Sequence, residues 1–248
     1  MVEKTKIEPV TPTGPIDCAC VIHGDAYSWT YVERLYNMLQ RNITPGIRLH
    51  VYTEAHWPVP EPMIKHPLID WGIGGPKRSW WYKLQLFNTA NFAGPLLYFD
   101  LDTVIVGNID WLWNLSLRNF WAVQDFKYLW RPTHQGINSS VMWWDTRLYG
   151  HIWRDFKPKD IDALIRVHPG DQDYLTQNLD SRSLRFFPQE RVKSWRWQCL
   201  DGGYNFKQRM YQTPGTGTLL QKNTSVLIFH GKPKPAEVND AVVLEHWR

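Results

Sequence analysis

Two aspartates one residue apart, Asp100 and Asp102, close the apolar run "PLLYFDLD" in this 248-residue chain. Side chains alternate along a strand, so the pair shares a side if the extended conformation persists through Leu101, which then faces the core. Two convergent carboxylates repel, and one is driven toward its protonated form unless a cation neutralises them. Hard oxygen donors suit Mg²⁺ or Mn²⁺. A D-x-D can equally be a turn cap beside a solvated carboxylate, but the strand leading into this one favours a metal site.

Other side chains able to do chemistry lie scattered along the chain. Lys83 sits among Trp81, Tyr82 and Leu84, where a lysine either meets an anion or snorkels to water. Asn138, Ser139 and Ser140 precede "VMWW" and offer short hydrogen-bonding groups, which strand-entry turn chemistry also explains. "PGDQDYLTQ" carries Asp171, Gln172 and Asp173 at a helix start, where Asp171 is also a natural N-cap. Near the C-terminus "FHGKPKP" presents His230, Gly231 and Lys232. Asp17, His23 and Asp25 flank the first strand's end and could serve a ligand or cap the following helix. Trp195 and Trp197 could form a stacking platform, though core packing explains them better.

Elements that would position these groups follow from periodicity. "IDCACVIHG" reads as a buried strand, and Val32, Leu35, Met38 and Leu39 fall at helical spacing after a cap at Ser28. "IRLHVYT" is a second strand, "WPVPEPM" a Pro-broken loop, and "SWWYKLQLFNTA" a helix capped by Ser79. The D-x-D strand comes next. Short strands are expected at "FWAVQD", "INSSVMWWD", "LRFFP" and "SVLIFHG", with helices over 148–156 and from Asp171. Strand–helix alternation indicates an α/β domain with a mixed, largely parallel sheet flanked by helices. Residues 1–15 read as a polar, Pro-rich arm and 16–248 as a single domain.

Composition narrows the function. Net charge is +4 with Lys and Arg dispersed, so no basic stripe points to nucleic acid, while an anionic small substrate suits the balance. The 15 tryptophans are mostly packing material. Cys18, Cys20 and Cys199 fit neither a disulfide framework nor a zinc spacing, which implies a reducing, cytoplasmic setting. No apolar run is long enough to span a bilayer, and peripheral membrane contact stays open.

The segments "CVIHGDAYSW", "WWYKLQLF", "LLYFDLDTVIVGNID", "GINSSVMWWD", "DQDYLTQ" and "FHGKPKP" together resemble, in order, the motifs of GT-A fold glycosyltransferases. They are broadly similar to glycosyltransferase family 8, the glycogenin and galactosyltransferase-like enzymes. The resemblance spans residues 16–235, with the last motif compressed. It implies a GT-A (Rossmann-like) nucleotide-diphospho-sugar transferase fold.

It further implies Mn²⁺ or Mg²⁺ and a nucleoside-diphosphate sugar as donor, with UDP the expected nucleotide. Asp102 would be a direct ligand, Asp100 would bind ribose or share the metal, and His230 would be the third ligand. Gly231 and Lys232 would meet the diphosphate, and Lys83 or Arg78 would serve the same phosphates or the donor sugar. Asn138 and Ser139 would contact the donor sugar and His23 the base or ribose. Gln172 or Asp173 would lie under the anomeric carbon in a retaining enzyme, which the resemblance favours; Asp171 or Asp173 would be general base in an inverting one. The acceptor would be a hydroxyl of a glycan, lipid-linked sugar or protein. A metal-dependent phosphatase or nucleotidyltransferase, or a non-catalytic sugar-nucleotide-binding protein, are the alternatives. The Gly-Thr that follows D-x-D in haloacid-dehalogenase-type phosphatases is replaced here by Thr103-Val104.

Overall fold

The computed structural model describes residues 12–73, 79–200, 204–205, 210–211 and 217–248. Seven strands make the central sheet: β1 (Ile16–Ile22), β2 (Ile47–Thr53), β3 (Ile64–Pro67), β4 (Pro95–Phe99), β6 (Phe120–Gln124), β7 (Ile137–Asp145) and β8 (Leu184–Phe186). Their order is β3-β2-β1-β4-β7-β6-β8. All run parallel except β7, which is antiparallel to both of its neighbours. A three-stranded sheet pairs β12 (Val226–Ile228) with β5 (Thr103–Ile105) and β9 (Val192–Ser194). The short strands β10 (Tyr204–Asn205) and β11 (Met210–Tyr211) pair with each other.

Helices cover both faces. The longest is α1 (Trp29–Asn42), which lays Tyr31, Val32, Leu35, Met38 and Leu39 on the sheet. Shorter ones are α2 (Thr146–Tyr149), α3 (His151–Asp155), α4 (Ile161–Val167), α5 (Asp171–Asn178) and α6 (Ala241–His246). Strand alternation divides the core. In β4, Leu97 and Phe99 join the α1 side, while Leu96 and Tyr98 face the segment carrying Lys83. Trp144 of β7 lies wholly buried on that second side, its ring centroid 5.0 Å from Phe87 and 5.5 Å from Phe120.

Several local expectations are corrected. Ser79–Phe87 is a nine-residue 3-10 helix rather than an α-helix, and Ser79 is its first residue rather than its cap. Ser28 is the N-cap of α1, but its side chain makes no capping hydrogen bond. The helix expected over 148–156 is broken at Gly150 into α2 and α3. Strand β3 follows directly on the Pro-broken loop and was not legible, because its residues IKHP carry little β-pattern. Asp17 lies at the start of β1, not its end, where it accepts a bidentate pair from Arg48 and a contact from His50. Residues 1–11 of the expected arm and Arg78 lie outside the described residues.

Two predictions follow from packing. Trp144→Ala opens a cavity between sheet and 3-10 helix and should cost about 3–5 kcal/mol in urea unfolding. His66 is half-buried, its Nε2 2.8 Å from His50 Nδ1, and burial followed by the nearby His50 lowers its pKa to about 4. The unfolded chain therefore binds more protons than the folded one between about pH 6.5 and 4. Stability should fall as pH drops through that window, and His66→Phe should flatten the slope of melting temperature against pH.

Candidate active site

The candidate site forms where β4 ends. The strand stops at Phe99, and Asp100–Thr103 is a turn closed by Thr103 N–H donating to the Asp100 carbonyl at 3.2 Å. The expected persistence of extended backbone through Leu101 is therefore not met, although Leu101 does face the core at 2% exposure. The turn is held from β7 as well, since Asp100 N–H donates to the Ser140 carbonyl at 2.7 Å. Strand β7 carries an irregularity just here: Val123 pairs with Asn138, but the adjacent Ala122 pairs with Met142. Such bulges re-aim side chains, and the serines lie in the shifted stretch.

A buried ammonium organises the polar centre. Lys83 Nζ lies 2.8 Å from Asp100 Oδ1 and 3.5 Å from Asp171 Oδ2, and it donates to Ser139 Oγ at 3.0 Å. Ser139 in turn donates to Asp171 Oδ2 at 2.6 Å, and the Tyr98 hydroxyl donates to Asp100 Oδ1 at 2.6 Å. Burial alone would push the Lys83 pKa down, but Asp100 and Asp171 reverse the sign and hold it above the ordinary lysine value. For Asp171, burial pushes the carboxyl up against the pull of Lys83 and Ser139. Asp171 is the first residue of α5 and not its cap; Gly170 takes that position, and Asp173 Oδ2 accepts from Gly170 N–H at 3.2 Å. Gln172 is half-buried on the same first turn.

Asp102 has its own cation. Its Oδ2 accepts from the Tyr27 hydroxyl at 2.9 Å and from Lys234 Nζ. Burial, then the charge of Asp100, raises its pKa. Lys234 arrives because β12 runs antiparallel to β5, with Ile228 opposite Thr103, returning the following segment to the Asp100–Asp102 turn. Gly231 turns that segment at φ +74°, and a Cβ there would press within 3.3 Å of Arg196 Nη1. Lys232 points elsewhere: it is exposed and paired with Glu237. Sequence reasoning chose Lys232 where the chain brings Lys234; the repeated Lys-Pro of "KPKP" was the only signal.

His230 packs between Phe126 and Trp197, with Nε2 2.7 Å from Ser194 Oγ. Burial, reinforced by Arg196, lowers its pKa to about 4, so the ring is neutral at pH 7. Among the described residues, no three His, Cys, Asp or Glu side chains converge as a metal cluster. The donor chemistry nonetheless fits a hard divalent cation. Asp100 Oδ2 and Asp102 Oδ1 accept no hydrogen bond among the described residues, while the opposite oxygen of each carboxylate is engaged.

At the end of β1, His23 stacks on Tyr82 with centroids 3.9 Å apart, and its buried Nδ1 has no partner among the described residues. Asn138 Oδ1 accepts from Ser140 N–H at 3.1 Å, a turn role. Trp195 is buried against Phe229, a packing role, and Asp25 is exposed.

No family model matches this chain, and no curated protein sequence does. Solved structures do. The chain is similar to the LgtC active-site mutant Q189E, with 14% identity and a TM-score of 0.61 over 91% of both chains. It is also similar to the glycosyltransferase GlyE of Streptococcus pneumoniae TIGR4, at 16% identity and TM-score 0.64, over 94% of this chain and 62% of that one. A third is the bifunctional glycosyltransferase WbbM, at 14% identity and TM-score 0.55, of which this chain spans 48%. The fold is that of the GT-A glycosyltransferases. In GT-A terms, the D-x-D turn lies at the carboxyl end of β4, where open α/β sheets bind ligands. No helix among the described residues is long and apolar enough to cross a membrane.

Lys83→Met strands the buried Asp171 carboxylate and removes the cation beside half-buried Asp100, and it should cost about 3–5 kcal/mol in denaturant unfolding. Combining it with Asp171→Asn should cost less than the sum of the single changes, because one stranded charge is then gone.

Proposed function

We infer that this protein is a glycosyltransferase that moves a sugar from a nucleoside-diphosphate donor to a hydroxyl acceptor. The observation carrying this reading is the buried Lys83 ammonium spanning Asp100, at the end of β4, and Asp171, at the start of α5. Asp100 is the first carboxylate of the D-x-D turn, with Leu101 between it and Asp102. Six motifs in order support placement near family 8, and with it UDP as nucleotide and retention of anomeric configuration.

Asp100 Oδ2 and Asp102 Oδ1 are the oxygens proposed to hold Mn²⁺ or Mg²⁺; His230, whose Nε2 meets Ser194 Oγ, would join them only after leaving that partner. When bound there, a divalent ion supplies Lewis-acid charge against the leaving diphosphate. Lys234 is paired with Asp102, and displacement from that carboxylate would free it for a phosphate oxygen. Lys83 and Ser139 suit the donor sugar's hydroxyls. Asp171 is positioned through them rather than free, so Gln172 and Asp173 stay as candidates for the reacting face. His23, flat on Tyr82, suits a base or ribose. Three free, buried cysteines support a reducing compartment.

The test is calorimetric titration of UDP, GDP and CDP, each with and without Mn²⁺, into the wild type and Asp102→Asn. Micromolar, Mn²⁺-dependent binding of one nucleotide, abolished in the variant, is the expected result. Metal-independent binding would favour a non-catalytic nucleotide-binding protein, and no binding of any nucleotide would overturn the reading.

A further inference from the structure

Trp80 is an aromatic ring that the chemistry above leaves unused. It is 46% exposed, whereas its neighbours Trp81, Tyr82 and Lys83 are buried. A 3-10 helix repeats every three residues, so side chains at i and i+3 lie over one another. Trp80 and Lys83 therefore share one edge of the Ser79–Phe87 helix. From that edge the indole reaches α5: Trp80 Cε3 lies 3.4 Å, and Cζ3 3.7 Å, from where a Cβ on Gly170 would stand. Gly170 is the cap residue immediately before Asp171. The exposed ring thus lies against the residue that caps Asp171, on the helix edge that carries Lys83.

The chemistry of that position is specific. A pyranose presents a face of C–H groups and a rim of hydroxyls. An indole offers a flat apolar face to the first and one N–H donor to the second. The Trp80 Nε1–H has no hydrogen-bond partner among the described residues, and half-buried Gln172 stands on the first turn of α5 beside Asp171. The inner groups are charged and closed in, which suits the transferred glycosyl group. The indole lies outward of them, where a second sugar must approach.

We propose that Trp80 determines acceptor specificity: its indole is the platform on which an acceptor pyranose stacks at the mouth of the Lys83–Asp171 centre. This rests on the sugar-transfer reading above. It identifies the acceptor class as a glycan or sugar conjugate ending in a pyranose, rather than a bare protein hydroxyl.

The experiment is saturation-transfer NMR with methyl β-D-galactopyranoside, methyl β-D-glucopyranoside and methyl N-acetyl-β-D-glucosaminide. It uses the wild type, Trp80→Ala and Trp80→Phe, with UDP binding measured in parallel by calorimetry. At least one pyranoside should receive saturation at its ring C–H protons from the wild type. Its affinity should fall about tenfold in Trp80→Ala and stay within about threefold in Trp80→Phe, which keeps a stacking face. UDP affinity should be the same in all three. Equal pyranoside binding by Trp80→Ala, or no pyranoside binding by a wild type that binds UDP, overturns the proposal. So does a parallel loss of UDP binding, which would put the ring on the donor side. A wild type that binds pyranosides in a Trp80-dependent way but no nucleotide keeps the platform and overturns the transferase reading instead.

Discussion

The site depends on one buried ammonium. Lys83 is 8% exposed, and burial alone would push its pKa down. It stays charged because Asp100 and Asp171 flank it, and Lys83 in turn offsets the burial of Asp171. Ser139 and Tyr98 complete the hydrogen bonding around the cluster. The arrangement ties together a 3-10 helix, the end of β4, an irregular stretch of β7 and the start of α5. Four elements distant in sequence are held to one geometry by a group that none could bury separately.

Packing beneath the cluster makes that geometry stiff. Trp81, Tyr82, Leu84, Leu86 and Phe87 are fully or almost fully buried on the same short helix. A run of 3-10 helix this long has strained hydrogen-bond geometry and gains little from its own backbone. Its conformation is held by the aromatic wall it meets, Phe87 on Trp144 and Trp81 on Phe156. The same tight repeat turns Trp80 outward on the edge that carries Lys83.

A second cation balances the second carboxylate. Lys234 comes from near the other end of the chain, guided by the β5–β12 pairing and the left-handed turn at Gly231. The two aspartates of the D-x-D turn thus stand in different electrostatic settings. Asp100 belongs to one cluster with Lys83, and the more deeply buried Asp102 to another with Tyr27 and Lys234. Each keeps one oxygen outside these contacts, which is the basis for proposing that the two would hold a divalent ion.

Sequence alone determined the parts that are local. The apolar runs fixed β1, β2, β4, β6, β7 and β12, and helical spacing fixed α1, because burial period is written in neighbouring residues. Ordered motifs pointed to the GT-A fold, and D-x-D marked the end of the strand that carries the site. Only tertiary structure decided what those residues meet. The pairing of Lys83 with both Asp100 and Asp171, the choice of Lys234 over Lys232, and the contribution of Tyr27 all depend on contacts across long sequence separations. The 3-10 form of Ser79–Phe87 was hidden for a related reason: its residues favour a helix of either pitch, and the surrounding core selects the tighter one. Side-chain type can announce that a lysine or an aspartate is available, but its partner is set by which strands lie side by side.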